Sequence, residues 1–393
     1  MAHFYRLAVV TAVLGMVTAF PSIAGDKFSI VQTPYLQDVG ETGVTVVWET
    51  STPSLGWVEI APDDGSHFYA CDRPQFYDAA LGTRKIGKLH KVTLKGLEPA
   101  TTYRYRVISK EVLDTVAGNA TFYTGHVYTS YSKPLKFKTL GNEPSEFHFT
   151  VMNDIHQDSA RFSTLAAVGG IDKAAFVVFN GDMVSSMGTD TTITKQFLNY
   201  TSSFSGEKPF YMSRGNHETR GQYACTFMDY FPSPTGLPYY TFEYGDVFFI
   251  VLDSGEDKPD DDVEYYDRAE FSKYRAQEAE WLKTVVESPE FKNAAYRIVF
   301  VHMPPVAERD SWYGCLEGNR LFVPILNKAG IDLMLCGHLH KYVYHPASGD
   351  ANVFPVIVNG NKTVANVYVK EKSLSVEILD LEGKKVKIHT FKK

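Results

Sequence analysis

Five short segments rich in Asp, Asn and His each follow directly after an apolar strand predicted in the last two thirds of the chain. They are Asp154-Ile155-His156, Gly181-Asp182, Gly215-Asn216-His217-Glu218, His302-Met303-Pro304-Pro305 and Gly337-His338-Leu339-His340. In open α/β sheets the carboxyl ends of the strands converge at one edge, where binding sites are built. The glycines allow the backbone to turn sharply as it leaves the sheet. The placement therefore predicts a strand-and-helix fold with one site shared by all five segments.

Alternation of strands and helices after residue 147 indicates an α/β domain. The apolar strands are predicted at 149–152, 174–179, 210–212, 298–301 and 333–335. Helices are predicted at 159–168, 195–204, 269–287 and 321–328. Two adjacent strands at 239–243 and 247–252 add antiparallel pairing, and the tail from 353 to 391 is again rich in strands. These additions favour an α/β sandwich spanning residues 147–393.

The first third of the chain has a different pattern, which predicts a β-sandwich over residues 25–140. The strand at 44–48 alternates, with Val44, Val46 and Trp48 on one face, and a second strand covers 103–107. Short strands separated by Gly, Pro and Asp turns are typical of a sandwich. An early strand Trp and a late strand bearing Tyr resemble a fibronectin type III module. Residues 112–132 are expected to form a long hairpin loop, and 141–145 a linker.

Residues 1–24 have the pattern of a signal peptide. Arg6 precedes the apolar run 7–20, and Ser22-Ile23-Ala24 has the small residues of a cleavage site. The run is shorter than the ~20 residues of a transmembrane helix, and no later segment could span a membrane. We therefore expect a secreted or periplasmic protein, with an uncleaved anchor as the alternative.

Composition excludes some classes of function. Apolar residues make up 44% of the 393 residues, charged residues 22%, and the formal net charge is −7. This composition is that of a globular protein. Because no block of Lys and Arg is present, a nucleic-acid groove is not expected. The four cysteines are few for a disulfide scaffold. Cys336 is expected to be a buried thiol, and a bridge between Cys225 and Cys315 is left open.

The donor types in the five segments suit a pair of transition metals. Imidazoles combined with carboxylates favour Zn, Fe and Mn over Mg and Ca. Two cations side by side need a bridging carboxylate, and Asp182 is the candidate because it is the lone carboxylate of its segment. Asn216 would contribute a neutral amide oxygen. Metals ~3.5–4 Å apart can hold a hydroxide and clamp a phosphoryl group for in-line attack.

The order D-x-H, G-D, G-N-H-E, H, G-H-x-H is similar to that of the calcineurin-like metallophosphoesterases, over about residues 147–345. A sandwich domain ahead of such a core resembles the architecture of purple acid phosphatases. The resemblance implies two metal sites that share Asp182. One site takes Asp154, His156, Asp182 and His340, and the other takes Asp182, Asn216, His302 and His338. It also implies that His217 is the general acid beside the leaving group, oriented by Glu218.

The chain departs from the purple acid phosphatase pattern at two positions. That pattern has a Tyr three residues after the Asp of its G-D motif, where this chain has Ser185. It also normally lacks the His of D-x-H, which is present here as His156. The first metal site therefore resembles the wider superfamily, and the identity of the metals is left open.

These features predict an exported hydrolase of phosphomonoesters, small or macromolecular, acting through a metal-held hydroxide. Phosphodiesters are the alternative substrate class. A non-enzymatic binding protein with a degenerate core is disfavoured, because the complete set of candidate ligands is present. Two nearby features are expected to be solvated surface: the acidic stretch 257–262 and Arg220, for which a phosphate clamp is the less favoured role.

Overall fold

The computed structural model describes residues 28–116, 119–122, 127–128, 133–306, 311–348 and 352–393. The predicted signal peptide lies outside these ranges, as does part of the predicted hairpin loop.

The described part of the first domain contains ten strands: β1 (Ile30–Gln37), β2 (Gly43–Pro62), β3 (Gln75–Tyr77), β4 (Ala79–Ala80), β5 (Thr83–Arg84), β6 (Ile86–Lys95), β7 (Thr102–Val116), β8 (Asn119–Phe122), β9 (Val127–Tyr128) and β10 (Leu135–Lys138). Twelve strands are found among the described residues of the second domain: β11 (Phe147–Met152), β12 (Val177–Asn180), β13 (Phe210–Ser213), β14 (Tyr240–Tyr244), β15 (Val247–Val251), β16 (Tyr296–Phe300), β17 (Leu333–Cys336), β18 (Val343–His345), β19 (Val356–Val358), β20 (Thr363–Lys370), β21 (Ser373–Asp380) and β22 (Lys385–Lys392).

In its described residues the second domain has seven α-helices: α1 (Ser159–Gly169), α2 (Thr192–Gln196), α3 (Phe227–Tyr230), α4 (Phe271–Val285), α5 (Pro289–Asn293), α6 (Tyr313–Leu321) and α7 (Val323–Ala329). Four short 3₁₀ helices cover Leu198–Thr201, His217–Thr219, Ala224–Thr226 and Val263–Tyr265.

The long strand β2 organises the first domain. Its first half pairs with β1 and β6, and its second half pairs with β3 and β7. Residues from both halves, such as Trp48 and Val58, are buried in one apolar core. The β-rich domain is thus confirmed, while the likeness to a fibronectin module stays a prediction. β10 ends at Lys138 and β11 begins at Phe147, and we propose that the domain boundary lies between them.

Two six-stranded sheets form the second domain. One has the order β13-β12-β11-β20-β21-β22, in which β11, β12 and β13 are parallel. The other has the order β14-β15-β16-β17-β19-β18, in which β15, β16, β17 and β19 are parallel. β14 and β18 close the second sheet as antiparallel edges. The predicted α/β sandwich is therefore correct.

Apolar side chains fill three layers of this sandwich. Phe149 of the first sheet and Phe249 of the second belong to the central core, with ring centroids 5.5 Å apart. Phe162 of α1 packs on the outer face of the first sheet. Leu282 of α4 and Leu326 of α7 pack on the outer face of the second. The buried strands β11, β12, β16 and β17 are held from both sides, which fixes the positions at which their carboxyl ends emerge.

One predicted helix has a different form. The segment expected to be helical at 195–204 contains the end of the short α2 and a 3₁₀ turn, separated by Phe197 with φ −148°. Thr and aromatic residues in this stretch have modest helix propensity, so packing determines the local conformation. Phe197 is fully buried in the core beside α1. The helices expected at 159–168 and 269–287 are present as α1 and α4, the latter shorter by two residues at each end.

Hydrogen bonds and packing join the two domains. Leu36 N donates to Ser205 O at 3.0 Å, and Gln37 Nε2 donates to Phe210 O at 3.0 Å. The buried Tyr35 donates its hydroxyl to Tyr230 O at 2.8 Å. Tyr35 and Val47, both from the first domain, belong to the apolar core that covers the outer face of the first sheet.

The four cysteines are free thiols. Cys225 is exposed and Cys315 is buried, so the disulfide left open between them is not formed. Cys336 is buried in β17, as expected. Of the helices in the described residues, none has both the length and the apolar composition that crossing a membrane would require.

Candidate metal centre

The carboxyl ends of β11, β12, β13, β16 and β17 bring the predicted ligands together, mostly as two clusters. The first consists of Asp154, His156 and His340. His340 Nε2 lies 3.3 Å from Asp154 Oδ1 and 3.1 Å from His156 Nε2. His156 Nε2 is also 3.9 Å from Asp182 Oδ2. These four residues are the set expected for one metal.

The second cluster consists of Asp182, His302 and His338. His302 Nε2 lies 3.0 Å from Asp182 Oδ2 and 3.8 Å from Asp154 Oδ1. Asn216 joins this group, because its Oδ1 is 3.1 Å from His338 Nδ1. Asp182 contacts both clusters, which is the position a bridging carboxylate requires.

Three buried atoms of the predicted ligands form no hydrogen bond of regular geometry within the described part of the chain, although His302 Nε2 lies 3.0 Å from Asp182 Oδ2 and Asp154 Oδ1 lies 3.3 Å from His340 Nε2. They are Asp154 Oδ1, His302 Nε2 and His338 Nε2. A buried polar atom without a partner costs roughly 1–3 kcal/mol, so such atoms usually bind water or an ion. Imidazole nitrogens and carboxylate oxygens placed in this way fit transition-metal ions.

Electrostatics favour neutral imidazoles at two of the ligands. Burial lowers the pKa of His156 and of His338 to about 4 in each case. Neutral imidazole is the form that binds a metal. At His302 burial also disfavours the charge, but Asp182 outweighs burial and raises the pKa of His302 to about 10. A cation coordinated by these two residues would take the place of that proton.

Five of the seven predicted ligands have left-handed backbone conformations. Their φ values are 54° at Asp154, 47° at His156, 56° at Asp182, 71° at His338 and 56° at His340. Non-glycine residues seldom adopt this region, and such strain concentrates at functional sites. The conformation lets Asp154 and His156 enter the same cluster, whereas His340 and His338 of the H-x-H segment enter the first and the second cluster respectively.

Two glycines are required by close approach of the loops. A Cβ atom at Gly181, where φ is 86°, would lie 2.3 Å from His302 Nδ1. A Cβ atom at Gly215 would lie 2.2 Å from Asp182 Oδ1. The role expected for Gly215 was a sharp turn, but its φ is not positive. Its function is to leave room for the carboxylate of Asp182.

Comparison with known proteins decides the family. Residues 147–342 match the calcineurin-like phosphoesterase family, and residues 32–139 match the purple acid phosphatase N-terminal domain. The chain belongs to the calcineurin-like phosphoesterases. Its two matched regions together reproduce the domain order expected from the sequence.

Purple acid phosphatases are among the relatives of this calcineurin-like phosphoesterase. Purple acid phosphatase 21 of Arabidopsis thaliana is 24% identical over 310 residues, which cover 69% of this chain and 67% of the plant protein. Purple acid phosphatase 22 of the same plant is 23% identical, over 66% of this chain and 54% of the plant protein. The serine/threonine-protein phosphatase CPPED1 of Mus musculus is 26% identical, over 43% of this chain and 54% of the mouse protein. This phosphoesterase thus spans between about half and two thirds of the length of these relatives.

His217 of the phosphoesterase lies at the entrance to the centre. Its Nδ1 is 2.8 Å from the main-chain oxygen of Ser185, so Nδ1 carries the proton of the neutral ring. Its Nε2 is 3.9 Å from Asp182 Oδ2 and 3.4 Å from Arg220 Nη1. Position 185, where the purple acid phosphatase pattern has Tyr, thus contacts His217 through a main-chain atom that any residue would supply.

Glu218, which was expected to orient His217, forms no hydrogen bond with that residue among the described residues. It is fully buried, and its carboxylate accepts hydrogen bonds from the main-chain N–H groups of Asp182, Met183, Val184 and Gly215, at 2.7 to 3.2 Å. Burial and the charge of Asp182 raise the pKa of Glu218, while the donors from the main chain favour its charged form. Glu218 therefore ties the loop after β12 to the loop after β13.

Replacing Glu218 with Gln should destabilise the phosphoesterase by about 2–4 kcal/mol, because an amide NH₂ would face main-chain donors in a buried site. The free energy of unfolding, measured by denaturant titration, tests this. The matched control is Glu280→Gln on α4, where the side chain is exposed and the change should be within about 0.5 kcal/mol. Equal stability of the two variants would contradict the assigned role.

Arg220 and Asp257 were expected to be solvated, but the structure places them beside the centre. Arg220 Nη2 lies 2.9 Å from Glu256 Oε2 and 3.2 Å from Asp257 Oδ1. Asp257 Oδ2 in turn lies 3.5 Å from Asn216 Nδ2. Burial opposes the charge of Arg220, but the two acids raise its pKa overall. Composition alone gave no signal for this, because an acidic stretch in an irregular loop looks the same whether solvated or paired.

Proposed function

We propose that this chain hydrolyses phosphomonoesters with two transition-metal ions, Fe, Zn or Mn, held by the residues described above. The observation that carries the proposal is the position of Asp182, whose carboxylate lies against ligands of both clusters. The reaction consumes water and releases an alcohol and inorganic phosphate. Small-molecule and macromolecular esters both remain within this substrate class.

The ligand assignment follows the two clusters. One metal is held by Asp154, His156, Asp182 and His340. The other is held by Asp182, Asn216, His302 and His338. When bound, such a metal pair supplies an activated water as nucleophile and positive charge against the phosphoryl oxygens.

The protein's own groups perform the remaining steps. His217 is proposed to act in its doubly protonated form, donating the Nε2 proton to the leaving oxygen and becoming a neutral ring whose remaining N–H, at Nδ1, is held by Ser185 O. Glu256 holds Arg220 in place, and Arg220 adds positive charge beside the imidazole of His217. That charge favours loss of a proton from the imidazole. Asn153 supports the ligand Asp154 by donating from Nδ2 to Asp154 Oδ2 at 2.6 Å.

Metal content provides the first test. The purified protein should contain close to two transition-metal ions per chain, because two ligand sets are available. Elemental analysis before and after chelation, with activity on nitrophenyl phosphate, measures this. Removal of metal should abolish activity, and restoring Zn, Fe or Mn should recover it. Full activity in the metal-free protein would refute the proposal.

Substrate class is tested with the same preparation. Turnover of nitrophenyl phosphate well above that of bis(nitrophenyl) phosphate would support the monoesterase, and the reverse order would identify a phosphodiesterase. A metal-loaded protein inactive on both esters would favour the binding-protein alternative.

Export is a separate part of the proposal and rests on Arg6, the apolar run 7–20 and the small residues 22–24. N-terminal sequencing of the protein from a secreting host tests it. A mature chain starting at residue 25 would support a cleaved signal, whereas a retained Arg6 would indicate an anchor.

A further inference from the structure

A pocket of about 350 Å³ adjoins the candidate metal centre at Arg220. Arg220 lines this pocket, and its Nη1 lies 3.4 Å from His217 Nε2. Tyr265, Tyr266 and Arg268 line other parts of it. Its volume falls within the ~300–1,000 Å³ of pockets that bind small molecules. Because His217 is the proposed proton donor to the leaving group, the pocket lies on the side where the alcohol part of an ester would project.

Tyr266, which lines the pocket, has a strained backbone conformation. Tyr266 is 83% exposed and has φ 51°, and the next residue, Asp267, has φ 57°. Two consecutive non-glycine residues in the left-handed region are unfavourable, and such strain is found where a side chain is held for function. A large aromatic side chain held in solvent beside a pocket provides a surface on which a planar group can stack.

One charged side chain that lines the pocket, Arg268, differs from the others in its partners. Arg220 is paired with Glu256, Arg214 with Asp253, and Glu264 with Lys258. Arg268 has no carboxylate partner among the described residues, and its Nη2 contacts the main-chain oxygen of Gly221 at 3.4 Å. A guanidinium without a carboxylate partner can form a bidentate pair with a ligand carboxylate or phosphate.

From the ring and the charge together, we infer that this pocket is a leaving-group subsite for an aromatic alcohol that carries a second anionic group. The aromatic ring stacks on Tyr266, and Arg268 pairs with the anionic substituent. The inference rests on the proposed phosphomonoesterase activity and specifies which esters it favours.

Three phosphate esters test the subsite with the metal-loaded enzyme: phenyl phosphate, its meta-carboxy derivative and a short alkyl phosphate. The meta-carboxylate changes the acidity of the leaving phenol little. A difference in kcat/KM between the two aryl esters therefore reports mainly on binding of the carboxylate. Arg268→Gln should lower the ratio of kcat/KM for the carboxylated over the plain aryl ester about tenfold. Tyr266→Ala should lower kcat/KM for both aryl esters relative to the alkyl ester, and Tyr266→Phe should restore it.

The control is Arg320→Gln, an exposed arginine of α6 that does not line this pocket, and it should change none of the ratios. Wild-type enzyme that hydrolyses all three esters, with ratios unchanged by Arg268→Gln and Tyr266→Ala, would overturn the subsite and leave the phosphomonoesterase standing. A metal-loaded wild type that hydrolyses none of them would overturn both.

Discussion

Asp182→Asn should empty both metal positions and lower kcat/KM on nitrophenyl phosphate by at least about 10³-fold. The Asp182 carboxylate lies 3.0 Å from His302 Nε2 and 3.9 Å from His156 Nε2, so it contacts a ligand of each cluster. The substitution removes the negative charge that would offset the repulsion between two cations. Elemental analysis of the purified variant gives the metal content, and steady-state kinetics give the loss.

His302→Ala is the comparison for this variant. His302 belongs to the second cluster, with Asp182 and His338, so its loss should mainly affect one metal and leave roughly one ion per chain. Both substitutions change a buried side chain at the same edge of the sheets, so general damage to the fold would affect them alike. If Asp182→Asn and His302→Ala each lost the same single ion, Asp182 would not be the bridge.

His217→Ala should retain both metals and lose about 10²–10⁴-fold in kcat/KM on an alkyl phosphate. The expected loss on nitrophenyl phosphate is much smaller, because nitrophenolate leaves without needing a proton. The geometry supports this role, since Ser185 O fixes Nδ1 and leaves Nε2 facing the centre. Measuring kcat/KM on the two esters, together with metal content, completes the test.

His217 also has a competing role as a ligand. His217, His156 and Asp182 each offer one ligand atom within 4.8 Å of the others, close enough to share an ion. In that case His217→Ala would lose metal and would impair both esters equally. The control His67→Ala removes an exposed histidine of the first domain and should change neither quantity.

The candidate centre could be predicted from the sequence because its signal is local. Each ligand segment directly follows an apolar strand, so recognising β11 or β17 also positions Asp154 or His338. Parallel strands emerge at one edge of a sheet, and that rule brings distant segments together without knowledge of side-chain packing. The positions of the α/β sandwich that matter most for the centre were therefore predictable.

The supporting residues could not be found in the same way. Asp257 and Arg220 lie in irregular loops, which have no hydrophobic periodicity. In such loops the residue type does not indicate whether a side chain is buried. Glu218 shows the same limit, because its carboxylate accepts four main-chain N–H groups from two loops, and residue type does not indicate such partners. The break at Phe197 arises from tertiary packing that overrides local propensity.

The burial of Tyr35 and Val47 in the apolar core beside the first sheet has a consequence for how the two domains can be separated. A fragment starting at residue 147 would expose the apolar surface that these side chains cover. It would also leave Ser205 O and Phe210 O without their donors from β1. The β-rich domain therefore supplies part of the apolar core of the hydrolase domain and is not an independent module. Truncation or domain exchange at this boundary would remove that part of the core.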